Sequence, residues 1–450
     1  MGDPGGRDLG AMRRKPSQMF CKGGTMRPSC LDARLSCMEI VLKYGKGQMS
    51  AQIPPENLAG FVRAKEVPVV PDELEAVKQA LASPIGSPPL REIIRRKKAK
   101  NAVVVVNDIT RPTPYHVYLP ALEEELQEVD EVTFIVATGL HRGHTDEENL
   151  AIFGDYPRRY RFINHDGDGD LVYLGRLPHG SPLYVNRLVV EADLVVTTGV
   201  VVPHYMAGFA GGRKSILPGV AGRETIQSNH SMLVRPESAP GRLEGNPIHQ
   251  EMLEAARRAG VDFILNAVTN EDKKIVSVVA GDLEAAWREG VEVCREVYTA
   301  PVAEEVDVVI AGVGGHPKDI NLYQAQKGLE NAAAAVRPGG TIILVAECPE
   351  GHGDEVFNQW MLAADSLQDI IDRIAVKFVM GGHKAYAIAR VLKEKDCILV
   401  SSMDEDLVRD YFFTPAADLE EALAIVRAKY GPDYSALVMP EASATMAALC

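Results

Sequence analysis

Four short apolar runs, each closing on polar residues, constrain this chain more than any other feature. Residues 102–106 (AVVVV) end in Asn107-Asp108, and residues 132–137 end in Thr138-Gly139. Residues 188–196 (LVVEADLVV) end in Thr197-Thr198-Gly199, and residues 261–267 run on to Asn270. Continuous apolar runs of this length are expected of strands buried on both faces, as in parallel sheets. Helically spaced stretches lie between or before them, at 72–83 and 119–126. Strands alternating with helices define an α/β fold with mostly parallel sheets. In such sheets, ligands bind beyond the strand carboxyl ends. The polar residues that close each run fall there.

The pattern repeats. A second set of runs covers 306–311, 341–346, 375–380 and 396–400, with a helical stretch at 322–335. Two α/β domains follow, with the active site expected in the cleft between them. Residues 38–300 are read as the first, cofactor-binding domain and 303–433 as the second. The strand-like residues 436–440, within 434–450, are expected to return to the first domain. Residues 39–44 alternate apolar and polar, as in an edge strand before the turn at Gly45 and Gly47. Residues 1–37 have no signal-peptide core and are read as a disordered tail or a start placed too early, with Met26 and Met38 as other candidate starts.

Composition narrows the class. A formal charge of −14 repels nucleic acid phosphates and gives no polybasic membrane footprint. It leaves room for a locally positive cleft. Neither nucleic acid nor membrane is expected as a partner. The seven cysteines are scattered and include no CxxC pair, which fits reduced thiols in a cytoplasmic protein. No apolar run reaches the ~18 residues of a membrane span.

Chemistry-bearing residues gather after the runs. Residues 199–222 hold His204, then Gly208, Gly211 and Gly212, then Lys214. Glycines there let backbone amides approach an anion, and a lysine beside them can bind phosphate or act as a nucleophilic amine. The plainer alternative is a glycine turn carrying a solvated lysine. The segment is not a GxxxxGK[ST] loop, and no GxGxxG occurs in the chain. In residues 108–114 (DITRPTP), two prolines stiffen a loop holding Asp108 and Arg111. Arginine suits bidentate recognition of a carboxylate, and a local Asp–Arg pair is the alternative. His141 and Arg142 follow the second run. Tyr323, Gln324 and Lys327 begin a helix, and the last two share a face. Asp166, Asp168 and Asp170 do not make a calcium loop, because Leu171 and Leu177 stand where glycine and glutamate are needed.

Taken together these residues resemble the nickel-pincer lactate racemase family. The motifs are Asp108-x-x-Arg111-Pro112-x-Pro114, Gly139-x-His141-Arg142, Pro203-His204 through Gly211-Gly212-x-Lys214, His230, and Tyr323-Gln324-x-x-Lys327. Their order and spacing agree with the family over nearly all the chain after Met38. The resemblance implies a racemase or epimerase of 2-hydroxycarboxylates working by reversible hydride transfer through a 2-oxoacid. It implies a pyridinium-3-thioamide-5-thiocarboxylate mononucleotide, the nickel-pincer nucleotide, joined covalently to Lys214. Ni(II) would be held by that cofactor and His230. His141 and His204 would be the acid/base pair. Asp108 and Arg111, with Gly208, Gly211 and Gly212, would line the cofactor. Arg111, Tyr323, Gln324 and Lys327 would line the substrate. Enzymes that build the pincer cofactor are implied as partners, and a homodimer is carried as an expectation.

One departure bears on substrate. Lactate-specific members carry a tryptophan near the position of residues 381–385, which here read Gly-Gly-His-Lys-Ala. His383 and Lys384 in its place imply a more polar or anionic substrate. The alternatives are C2 epimerisation of a sugar acid by the same chemistry, Schiff-base chemistry at Lys214, and a non-catalytic binding protein on the same fold.

Overall fold

The computed structural model describes residues 1, 37–270 and 272–449. The expected tail, with Met26, lies almost entirely outside them. Among the described residues are two six-stranded sheets. Across the first, the strands run Ile275–Gly281, Phe263–Thr269, Leu194–Val201, Asn101–Asn107, Glu131–Ala137 and Arg161–Asn164. All neighbours are parallel except the pair Phe263–Thr269 and Ile275–Gly281. The valines of Asn101–Asn107 are covered on both faces. Val103 and Val105 enter one apolar cluster, and Val104 and Val106 enter another. That double burial is why the run reads as uninterrupted apolar residues.

Successive strands step outward from Asn101–Asn107, and then Leu194–Val201 returns to its other side. The chain reverses direction there, so the connections diverge and leave a crevice above the two carboxyl ends. Asp108 follows one of those strands and His204 follows the other.

The second sheet runs Thr414–Ala416, Asp396–Val400, Val336–Val345, Val306–Gly312, Ala436–Met439 and Leu58–Phe61, all parallel. This corrects two expectations. Ala436–Met439 does not return to the first sheet; it is an interior strand of the second, with every residue buried. The chain from 38 to 62 also belongs mostly with the second sheet. Ile40, Leu42, Ala51 and Ile53 pack with Val308, Ile310, Ile343 and Val345. Met446–Leu449 pairs with Thr299–Val302, tying the terminus to the segment where the chain passes between the units.

Two strand expectations also fail. Residues 188–196 split into the helical turn Arg187–Val190 and the strand Leu194–Val201, because the Asn186 side chain caps the turn by accepting from the Leu188 amide. Residues 375–380 are no strand. A capping box of Ser366 and Asp369 starts the helix Leu367–Val376, which buries Ile370 and Ile374 and leaves Val376 exposed. One apolar cluster runs from Val105 and Ile135 of the first unit to Leu329 and Tyr386 of the second, so the two are packed together.

Candidate active site

The 108–114 loop does not form an Asp–Arg pair. Asp108 is 4% exposed, and its Oδ2 lies 2.6 Å from Nδ1 of His141. Its Oδ1 accepts from the Thr110 hydroxyl at 2.6 Å and the Thr110 amide at 3.2 Å. Burial alone would raise this carboxyl. The His141 and Thr110 hydrogen bonds outweigh it and hold the group below the usual aspartate range. The guanidinium of Arg111 is exposed and donates to Thr110. Its charge still reaches His204, Lys214 and Lys327, lowering the pKa of each. Arg142 turns away into an ion pair with Glu148.

His204 sits on the short strand Pro203–His204, folded back on Gly208–Phe209. Its Nδ1 accepts from the amides of Met206 and Ala207 at 3.4 and 3.3 Å. Lys214 lies on the 3-10 turn Gly212–Ser215. Its pKa is pushed well below the lysine range by burial first, then by Arg213 and Arg111. The same effects, with Lys214 leading the charges, depress His204. His230, near the end of the helix Arg223–Ser231, is buried, and its Nδ1 has no hydrogen-bond partner.

The glycines of this loop are needed for its fit. Gly208 and Gly211 have φ of +74° and +77°. A Cβ at Gly208 would lie 2.4 Å from the Arg242 carbonyl oxygen, and one at Gly211 would lie 2.5 Å from Asn266 Oδ1. The Gly212 amide is already spent on Asn266. Their open sides therefore face protein, and the loop is held by its own packing.

The second unit supplies the facing wall. Asn321 caps the helix Leu322–Ala333 and fixes Tyr323, Gln324 and Lys327 at its start. Lys327 is exposed and donates to Gln324 Oε1 at 3.3 Å, as the shared face requires. The helix Gly382–Leu392 brings His383 and Lys384 to the floor, 5% and 6% exposed. Lys384 donates to Gln326 Oε1 at 2.7 Å and faces the Tyr205 and Tyr323 rings. Burial, then Lys327, pull its pKa down to about 7, against the opposing pull of Glu330.

The predicted side chains Arg111, His204, Lys214, His230, Lys327, His383 and Lys384 thus lie within electrostatic or ring contact of one another, and Asp108 reaches them through His141 and Arg111, whereas Arg142, Asp168 and Asp170 turn to surface ion pairs. Sequence reasoning passed over Tyr205, Phe378 and Arg213. Arg213 is fully buried, donates to the Ala207 and Gly211 carbonyls and to His249, and stacks on Trp287. Its place beside Lys214 in the glycine loop was the available signal. Phe378 gave none, because its segment reads as a strand.

These buried imidazoles carry a pH prediction. His204 and His230 have folded pKa values below the unfolded value of about 6.5. Below that pH the unfolded chain binds more protons, so stability is full above it and falls as pH drops toward the folded values. The apoprotein is expected to lose thermal stability between about pH 6.5 and pH 5. His230→Gln should flatten that slope in a melting series, and an unchanged slope would contradict the assignment.

Two packed α/β units that bring histidines and lysines together above a switch point define a two-unit α/β class of protein. Family models agree on which one. The lactate racemase N-terminal domain matches residues 44–241, and the lactate racemase C-terminal domain matches residues 302–446. The chain belongs to the lactate racemase family and is an enzyme of the racemase type. It is 39% identical to a lactate racemase of Thermoanaerobacterium thermosaccharolyticum over 89% of this chain and 97% of that one. It is 37% identical to a lactate racemase of Lactiplantibacillus plantarum over 89% and 98%. The structure of the T. thermosaccharolyticum apoprotein superposes with a TM-score of 0.85 at 38% identity, covering 91% of this chain and all of that chain. A Thermotoga maritima protein at 20% identity, with a TM-score of 0.60 over 86% of this chain and all of that chain, shares the fold. No helix among the described residues is long and apolar enough to cross a membrane.

Proposed function

We propose that this chain inverts C2 of a 2-hydroxycarboxylate, using a nickel-pincer nucleotide joined to Lys214. The observation that carries the reading is the pairing of a lysine whose charged form is disfavoured by burial and neighbouring cations with a buried histidine whose Nδ1 is unpartnered. An uncharged amine is the form that can be acylated. An unsatisfied imidazole nitrogen in a dry site is costly unless something binds it. Among the described residues no group of three or more His, Cys, Asp or Glu side chains is placed to hold a metal. A metal here would therefore arrive with its own chelating ligands, and His230 would add a nitrogen that suits Ni(II). When bound, the cofactor supplies a hydride acceptor and the remaining nickel ligands.

The chain's own residues do the rest. Arg111 and Lys327 bind the substrate carboxylate as fixed charges from opposite walls. Asp108 accepts from Nδ1–H of His141, which leaves a lone pair on Nε2 to take the hydroxyl proton. His204 is preset the other way. Two amides point at its Nδ1, so the neutral ring carries its proton on Nε2 and donates to the substrate oxygen. His141, having become the imidazolium, returns the proton to the oxygen after inversion, while His204 polarises that oxygen by hydrogen bond, so both rings end the cycle as they began. Loss of hydride together with the hydroxyl proton gives a 2-oxocarboxylate with a neutral ketone and avoids a carbanion beside a carboxylate. Lys384 has no carboxylate at ion-pair distance among the described residues. It favours a substrate more polar than lactate, with an anionic distal group.

The test is racemisation of a single enantiomer in D2O by matured enzyme. Returned hydride keeps protium at C2, so product should carry little deuterium there. Stoichiometric deuterium incorporation would mean proton abstraction and would overturn the reading.

A further inference from the structure

The rings of the cleft form an unbroken ladder between the two units. His204 stacks on Tyr205 with centroids 5.0 Å apart, and Tyr205 stacks on His383 at 5.9 Å. His383 meets Phe378 at 5.8 Å, and Phe378 presents an edge-to-face contact to His230 at 5.7 Å. Each separation falls within the range of favourable ring pairs. His204, Tyr205 and His230 come from the first unit, and His383 and Phe378 come from the second. The second unit thus touches His230 directly through Phe378 and reaches His204 through His383 and the intervening Tyr205 ring.

Neither end of the ladder is well fixed without it. His230 makes no bond through Nδ1, and the amide contacts to His204 are long, at 3.3 and 3.4 Å. His383 is buried and accepts the Gly381 amide at its own Nδ1, which locks its ring in place. We infer that His383 and Phe378 are positioning residues whose rings hold His204 and His230 in working orientation when the two units are docked. The inference rests on the acid/base and metal-ligand roles proposed above for those histidines. It assigns His383 the part of a ring rather than of a proton donor or a substrate contact. A shift of about 1 Å in a catalytic group can cost on the order of 100-fold in rate, so orientation has the leverage required.

The experiment compares matured wild type with His383→Phe, His383→Leu and Phe378→Leu. Leucine keeps apolar bulk, so each variant retains its packing volume, and melting temperatures identify any that fail to fold. His383→Leu is expected to lower kcat at least about tenfold with KM within threefold, and His383→Phe to stay within threefold of wild type in both. Phe378→Leu is expected to release nickel to a chelator at least about tenfold faster, a readout independent of turnover. Three results overturn the inference: His383→Phe as impaired as His383→Leu, a loss confined to KM, or all three variants indistinguishable from wild type. Wild-type protein that inverts no hydroxyacid and retains no nickel would instead fail the function proposed above.

Discussion

Lys214→Ala protein, matured alongside wild type, is expected to fold and to leave either enantiomer of its substrate unchanged. The loss should be on the order of 10⁴-fold or more, because in the proposed function this residue tethers the group that accepts hydride. Lys214 is half-buried on a turn whose other residues are buried and held by their own contacts, so its truncation should leave the melting temperature within a few degrees. Lys214→Arg should be equally inactive, since a guanidinium carries a fixed positive charge and cannot be acylated at neutral pH. That variant separates a nucleophilic role from a merely electrostatic one. Turnover within tenfold of wild type in either protein would contradict the account.

Loss of either histidine proposed to handle the hydroxyl proton, His141 or His204, is expected to cost roughly 10²- to 10⁴-fold. Two enantiomers in water have equal free energy, so the equilibrium constant of racemisation is one. A variant must therefore lose kcat/KM equally in both directions, whichever histidine is removed. The two sites differ elsewhere. Asp108→Asn should reproduce most of the His141→Ala loss, because it removes the acceptor that fixes the His141 tautomer at 2.6 Å. It should leave the His204→Ala defect additive, because His204 is oriented by backbone amides. Polarimetry from each pure enantiomer measures all of these rates. An Asp108→Asn enzyme as fast as wild type would remove Asp108 from the mechanism.

The parts legible in the sequence were those set by local physics. Residues 102–106 could be placed because burial on both faces leaves an uninterrupted apolar signature. The residues after the runs could be assigned to one site because a parallel sheet sends all its carboxyl ends the same way. Long-range pairing was not legible. Ala436–Met439 is the same kind of apolar run as the strands of either sheet, and nothing local says which edge it joins. Residues 375–380 look like a strand until the Ser366 cap is weighed, for the cap starts a helix that carries on through Val376. That error hid Phe378. The direction of Asp108 was also invisible, since its partner, His141, is 33 residues away and the nearer Arg111 offered a plausible local pairing.

The claim on which everything else stands is a covalent one, and weighing the protein checks it. Chain made together with the pincer-building enzymes should show one added nucleotide-sized mass, mapping to the peptide that contains Lys214, with one nickel per chain. Active, fully turning-over protein of unmodified mass, or carrying its added mass on another residue, would contradict the account.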